Sequence, residues 1–349
     1  MNCFRVWLWN VTKTKNIEGR KKTIEDGRKM EMHHISERYN SIFPIIKEDI
    51  WGEILKHIEH ITEIRIRVGK PVLIYLNQKE MSVDEDGNFI YVVEKGKKFT
   101  YQEIQQLFDF WCQDSRYAFQ NEIKRGFLTI EGGHRIGICG EAVSDEEGKI
   151  QTIKYISSLN IRIAHEKKGA ATEIMAYIHK KNQIKNTLII SPPGAGKTTL
   201  LRDIVRYLSN GDEVHRGINV GLVDERGEIA ACFQGIPQLD VGVRTDVLDN
   251  CKKTVGMRML LRSMAPRVIA VDELGNEEEI RLIQQMVGNG CAVIATIHGN
   301  NMEELRQKKI WKELWDKSMF ENIVLLSKKN HMFHKELYCD GGKQLTYSC

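Results

Sequence analysis

The stretch SPPGAGKT at 191–198 decides the fold of this 349-residue chain. An apolar run precedes it (Leu188, Ile189, Ile190), and apolar residues at helical spacing follow it (Leu200, Leu201, Ile204, Val205, Leu208). Strand, glycine-rich loop and helix in that order make a phosphate-binding loop. Gly194 and Gly196 permit a tight curl in which successive N–H groups face one anion. The helix opening near Lys197 adds the positive end of its dipole. The expected nucleotide-binding residues are therefore Ser191, Pro192, Pro193, Gly194, Ala195, Gly196, Lys197, Thr198 and Thr199. Lys197 has the reach for the β- and γ-phosphates, and the Thr198 hydroxyl suits Mg²⁺. Ser191 stands where the usual pattern opens with glycine; serine is small, and most phosphate-facing amides come from later positions.

Working outward from the loop, helix and strand alternate from about residue 167: helix 170–181, strand 187–191, helix 197–209, strands 218–224 and 267–272, helix 276–287, strand 291–297, helix 301–315 and strand 322–327. Continuously apolar strands such as RVIAV (267–271) and CAVIAT (291–296) are those of a parallel sheet covered by helices. A hairpin is expected at the end, 335–339 against 344–348 around Asp340-Gly341-Gly342.

Three motifs downstream carry the rest of the chemistry. VDERGE (223–228) ends a strand and places Asp224, Glu225 and Glu228 at the carboxyl edge of the sheet, where ligands of such folds bind. These acids suit a Mg²⁺ shell or a water; the plainer alternative is a strand-to-helix turn with Asp224 as its cap. RVIAVDE (267–273) ends in Asp272 and Glu273, an acid for the metal shell beside an acid that polarises attacking water. ATIHGN (295–300) puts His298 at the end of the next strand, to sense a γ-phosphate, to touch a neighbouring subunit, or to serve structure alone. Arginines could stabilise charge that develops on a transferred phosphoryl group. Arg244 and Arg262 lie between the two acidic motifs, and Arg162 precedes the loop-bearing domain; any one suits a finger reaching a neighbouring subunit, and the plainer alternative for each is an ion pair. The segment 251–264 is Met-rich at helical spacing and reads as packing surface.

The first half differs. Residues 1–34 read as a flexible basic tail, with Met30 or Met32 as an alternative start. From 35 to 166 the pattern is that of a small α+β domain, and 167–349 form the second domain. A helix is expected at 46–60, EIRIRVG (63–69) alternates as a strand, and Thr100-Tyr101-Gln102-Glu103 is a capping box opening a further helix. FLTIEGGHRIGICGEAV (127–143) and YISSLNIRIA (155–164) add β-rich segments.

Bulk composition excludes several classes. Lys and Arg number 51 against 47 Asp and Glu, a net charge of +4, and the first 32 residues, with eight basic and four acidic, already account for it. The near-neutral remainder argues against a dedicated double-stranded nucleic-acid binder. The eight cysteines form no CxxC pair, which argues against zinc and fits small buried side chains of a reducing cytosol. No stretch approaches the roughly 20 apolar residues of a membrane span, so membrane contact is expected to be peripheral or through a partner.

Taken together, VDERGEIA, the run GIPQLDVGVRTDVLDNCKKTVGMRMLLRSMAPRVIAVDELG (235–275) and ATIHGN resemble the stage III sporulation protein AA family. In the first half EIRIRVGKP, GGHRIGICGE and LNIRIAHE match in the same order, so the likeness runs from about 36 to 330. More distantly the chain is similar to the hexameric ATPases of type II and type IV secretion. Their Walker B segment resembles LRSMAPRVIAVDELG, their acidic box VDERGE, their His box ATIHGN, and their arginine-bearing strand the segment of Arg162. The resemblance implies a RecA-like P-loop ATPase domain with a parallel sheet, preceded by a smaller α+β domain. It also implies ATP and Mg²⁺ as ligands and a ring of six, with ATP bound where an N-terminal domain meets its own or a neighbour's ATPase domain. In cellular terms it implies a motor in the mother-cell cytoplasm docked on membrane-embedded channel proteins facing the forespore. The residues themselves leave two other readings open: a nucleic-acid-stimulated ATPase of the same fold class, and a nucleotide-binding scaffold with negligible hydrolysis.

Overall fold

In the computed structural model the described residues are 39, 41–42, 48–180, 183–307, 319–329, 332–339 and 343–348. The expected tail at 1–34, the later part of the expected helix 301–315 and the hairpin turn lie outside them. The chain divides into two units, with the boundary between Ala164 and His165.

In the first unit, alternation builds a sheet with one buried face. Strands β1 (Ile61–Arg67), β2 (Leu73–Leu76), β3 (Lys79–Val83), β4 (Phe89–Ile90), β5 (Phe127–Thr129), β6 (Arg135–Ser144) and β7 (Ile150–Arg162) lie in the order β4-β3-β2-β1-β7-β6-β5. All of the pairs are antiparallel. Ile64 and Ile66 are fully buried, while Glu63, Arg65 and Arg67 between them are only partly covered. The helix α1 (Glu48–Lys56) is shorter than expected, because Ile58–His60 tighten into a 3-10 turn before β1. Helix α2 (Tyr101–Trp111) starts at the capping box: Thr100 accepts from the Glu103 N–H, and Glu103 accepts from the Thr100 N–H. It buries Ile104, Leu107, Phe108 and Trp111. A short helix that the sequence reading did not place, α3 (Gln120–Arg125), ends at Gly126 in the left-handed region.

The second unit is the α/β layer expected. Helix α4 (Thr172–Ile178) is followed by a small hairpin of β8 (His179–Lys180) and β9 (Gln183–Ile184), which cuts the expected helix 170–181 short. The main sheet contains β10 (Thr187–Ser191), β11 (Val220–Asp224), β12 (Thr245–Asp249), β13 (Val268–Val271), β14 (Ala292–His298), β15 (Asn322–Lys329), β16 (Met332–Cys339) and β17 (Lys343–Ser348). Their order is β12-β11-β13-β14-β10-β15-β16-β17. From β12 to β15 every pair is parallel; β16 and β17 add an antiparallel edge, so the terminal hairpin extends the same sheet. Strand β12 was not expected, because its five residues are all only partly buried and TDVLD reads as polar loop.

Both faces of the parallel strands are covered, which is why their sequences are continuously apolar. Ile189, Leu222, Ala270 and Ile294 pack on one side with Leu201 and Ile204 of helix α5 (Lys197–Asn210) and Ile174 of α4. Leu188, Ile190, Val223, Ile269 and Val271 pack on the other. There they meet Met257 and Leu260 of α6 (Lys253–Ser263) and Ile280 and Ile283 of α7 (Glu277–Gly288). The last helical segment among the described residues, α8 (Met302–Gln307), follows β14. No helix among the described residues is long and apolar enough to cross a membrane. The consequence for function is that β10, β11, β13 and β14 all end at one edge, and each ends in a polar motif.

Candidate functional site

The loop between β10 and α5 needs backbone that only glycine adopts freely. Gly194 has φ 71° and Gly196 φ 87°, and a Cβ added at either would meet no atom within 4 Å. The cradle beside the helix start is therefore open, as an anion-binding loop requires. Ser191 is buried at the end of β10 and its hydroxyl donates to the Pro192 carbonyl at 2.7 Å. The serine in place of the usual glycine thus ties off the loop's entry from within.

Parallel register brings the strand-end motifs to this loop. Ser191 stands opposite His298 of β14, and the Gly299 N–H donates to the Ser191 carbonyl at 3.2 Å. The side chain of His298 is exposed. From the end of β13, Glu273 Oε1 accepts from Lys197 Nζ at 2.7 Å, and Asp272 Oδ1 lies 3.5 Å from the same nitrogen. The Thr198 hydroxyl donates to Asp272 Oδ2 at 3.4 Å. A hydroxyl and a carboxylate side by side are the hard oxygen donors that Mg²⁺ accepts, with phosphate oxygens and water completing its shell. These residues fit a nucleotide with its metal: Thr198 and Asp272 toward the cation, Lys197 and the loop amides toward phosphate.

Glu273 is held in an uncommon way. Its φ is 52°, in the left-handed region that a non-glycine residue seldom occupies, and strain of this kind gathers at functional sites. Its N–H donates to Thr296 Oγ1 at 2.8 Å, and the same hydroxyl donates to Asp272 Oδ1. Its carbonyl accepts from Lys253 Nζ. Arg226 lies 2.8 Å from its second carboxylate oxygen. Burial alone would raise the Glu273 carboxyl, but the hydrogen bond and charge of Lys197, with Arg226 and Lys253, outweigh it and hold the group below its ordinary range.

The VDERGE turn is built around Asp224. That carboxylate is buried and accepts from three backbone N–H groups, those of Glu228 (3.0 Å), Ile229 (2.9 Å) and Ala230 (2.8 Å). Burial pushes its carboxyl up against the pull of those amides. From α5, buried Arg202 donates to the carbonyls of Glu228 and Ile229 and closes the other side of the turn. Asp224 thus fixes the turn, and the turn presents Glu225 to Lys253 at 3.4 Å and Arg226 to Glu273.

Two of the arginines singled out from sequence, Arg244 and Arg262, lie in the same unit as the loop and are not brought to it. Arg244 donates to the Ser209 carbonyl at 2.9 Å, at the far end of α5 from the loop. A 14-residue helix at about 1.5 Å per residue separates the two ends by about 20 Å. Arg262 is exposed in the last turn of α6, the end opposite Lys253. Arg162, exposed at the end of β7, belongs to the first unit and stands in register with Glu63 and Arg135. Sequence reasoning missed Arg226, Lys253 and Thr296. Arg226 and Thr296 lie inside motifs already quoted, so a search of those motifs for every polar residue would have found them. No local signal marks Lys253, one of several basic residues along its helix.

Comparisons with known proteins bear on the family and the fold. Stage III sporulation protein AA of Bacillus subtilis (strain 168) is 37% identical over 283 residues, covering 81% of this chain and 85% of that protein. The crystal structure of the pilus retraction motor PilT with bound ADP superposes with a TM-score of 0.55 at 14% identity, over 84% of this chain and 83% of that one. The ATPase DotB of Yersinia pseudotuberculosis superposes with a TM-score of 0.51 at 12% identity, over 88% and 79%. At such identities the likeness is one of fold, that of the RecA-like secretion ATPases. Residues 36–343 match the family described as sporulation stage III, protein AA, and the chain belongs to that family.

Proposed function

We propose that this protein is a Mg²⁺-dependent ATPase of the secretion type. One observation carries the reading: Lys197 of the phosphate loop and Thr198 beside it already contact the strand-end acids Glu273 and Asp272. Phosphate binding, metal binding and water activation are thereby assembled from one chain on one sheet edge.

Each residue's part follows from its chemistry. The loop amides and Lys197 bind the phosphates and neutralise their charge. Thr198 and Asp272 hold Mg²⁺, which when bound shields the phosphate oxygens. Glu273, kept ionised by its cationic neighbours, accepts a proton from the attacking water. Asp224 shapes the turn and Glu225 assists from its rim, and His298 stands beside the entry to the loop. Arg244 and Arg262 lie away from the loop of their own chain, which supports a role on a neighbouring subunit's nucleotide in a ring of six, and the resemblance to the secretion ATPases supports a part for Arg162 at a nucleotide. The family and the fold support work on a membrane channel between mother cell and forespore, with the protein on the mother-cell cytoplasmic side and channel proteins as its partners. The separation into an N-terminal α+β domain at 35–166 and an ATPase domain at 167–349 belongs to the same reading.

Steady-state ATP hydrolysis over a protein concentration series, with Glu273→Gln as control, tests it. Turnover that needs Mg²⁺, rises with assembly and vanishes in the variant is expected. Tight nucleotide binding with no turnover above the variant would replace the motor with a scaffold.

A further inference from the structure

The ammonium of Lys253 reaches both acidic motifs of the site, VDERGE and RVIAVDE. It is the first residue of α6, its side chain is 12% exposed, and it donates to the main-chain carbonyl of Glu273. It also lies 3.4 Å from Glu225 of the acidic turn and 3.5 Å from Glu279 of α7. Glu279 in turn accepts from the Gly275 N–H at 2.7 Å and from the Asn276 amide at 3.0 Å, so it fixes the segment that leads out of Glu273. The Glu273 backbone, in its left-handed conformation, is thus held at its N–H by Thr296 and at its carbonyl by Lys253. A residue in that conformation persists only where its surroundings over-determine it. The direction of the Glu273 side chain depends on the same two dihedrals that these bonds fix.

We propose that Lys253 is a positioning residue for the hydrolytic step: by clamping the Glu273 carbonyl against Glu225 and Glu279, it sets where the Glu273 carboxylate stands relative to the phosphate loop. The inference rests on the ATPase reading above. Lys253 binds neither phosphate nor metal in this scheme, and its effect reaches the reaction only through Glu273. A misplacement of about 1 Å in a reacting group costs about 10²-fold in rate.

The test uses the full-length chain and compares wild type, Lys253→Met, Lys253→Arg and Glu273→Gln in kcat, KM for ATP and nucleotide dissociation constant. Lys253→Met is expected to lower kcat by about 10²-fold, with KM and the dissociation constant unchanged. Lys253→Arg, which keeps a cationic donor, is expected to recover most of the loss. If Lys253→Met does not fold, as judged by thermal melting, Lys253→Gln replaces it, since its shorter neutral side chain removes the ammonium while remaining polar beside Glu225 and Glu279. An unchanged kcat in a protein whose Glu273→Gln variant is inactive overturns the positioning role and leaves the ATPase reading standing. A loss seen in nucleotide affinity instead of kcat also overturns it. A wild type that binds nucleotide without hydrolysing it overturns the ATPase reading and this inference with it.

Discussion

Lys197 Nζ of the phosphate loop lies 2.7 Å from Glu273 Oε1 at the end of a strand two places away in the sheet. The lysine that would bind phosphate and the acid that would activate water are thus each other's counter-ions. On the proposed reading, a bound nucleotide would draw Lys197 toward phosphate and free the Glu273 carboxylate, with Arg226 and Lys253 remaining as its neighbouring cations.

Removal of Lys197 should therefore act twice. In Lys197→Ala, turnover should fall by about 10²–10³-fold, the size of effect that losing one charge-stabilising donor has. Affinity for ATP should weaken as well. Steady-state kinetics and fluorescent-nucleotide titration measure the two separately; an active variant would remove the lysine from the chemistry.

The pH dependence of stability carries a defined sign. Glu273 is held below its ordinary range, so its ion pairs stabilise the folded state above its unfolded value, and that stability is lost as pH falls through the depressed value. Thermal melts from neutral pH down through the carboxylate range should show wild type losing stability more steeply than Glu273→Gln. Parallel curves would refute the assignment.

Arg202 links the loop helix to the acidic turn through the carbonyls of Glu228 and Ile229. Arg202→Leu leaves those acceptors without their guanidinium, and an unsatisfied buried polar group costs about 1–3 kcal/mol. The melting temperature should drop, and turnover should fall with it because Glu225 and Arg226 lose their platform. A variant with normal stability would show the turn to be held by Asp224 alone.

In the first unit, Gly140 lies beside a register shift between β6 and β7, where an added Cβ would sit 2.4 Å from the Lys154 carbonyl and 2.9 Å from that of Tyr155. Backbone cannot yield as a flexible side chain can. Gly140→Ala should destabilise the protein by about 1–3 kcal/mol, as read from chemical denaturation. An unchanged midpoint would show that the strands can part there.

Legibility followed the range of the interactions. The apolar runs of β10, β13 and β14, the glycines of the loop and the Thr100–Glu103 capping box declare themselves because each depends on neighbours within a few residues. The same holds for Lys197, Thr198, Asp272 and Glu273, whose residue types at a strand end or helix start already imply phosphate and metal chemistry. Strand β12 stayed hidden because an edge strand with no fully buried residue carries no periodic signal. Arg226, Lys253 and Thr296 stayed hidden as parts of the site because their partner, Glu273, is 20 or more positions away in sequence. Arg244 sits on the wrong end of α5 for its own loop, which spacing along the chain could not reveal. The sequence by itself determined a parallel α/β layer with a phosphate loop and two acids at one sheet edge. Only the tertiary structure decided which charges meet there, because parallel register, and not distance along the chain, brings the ends of separate strands together.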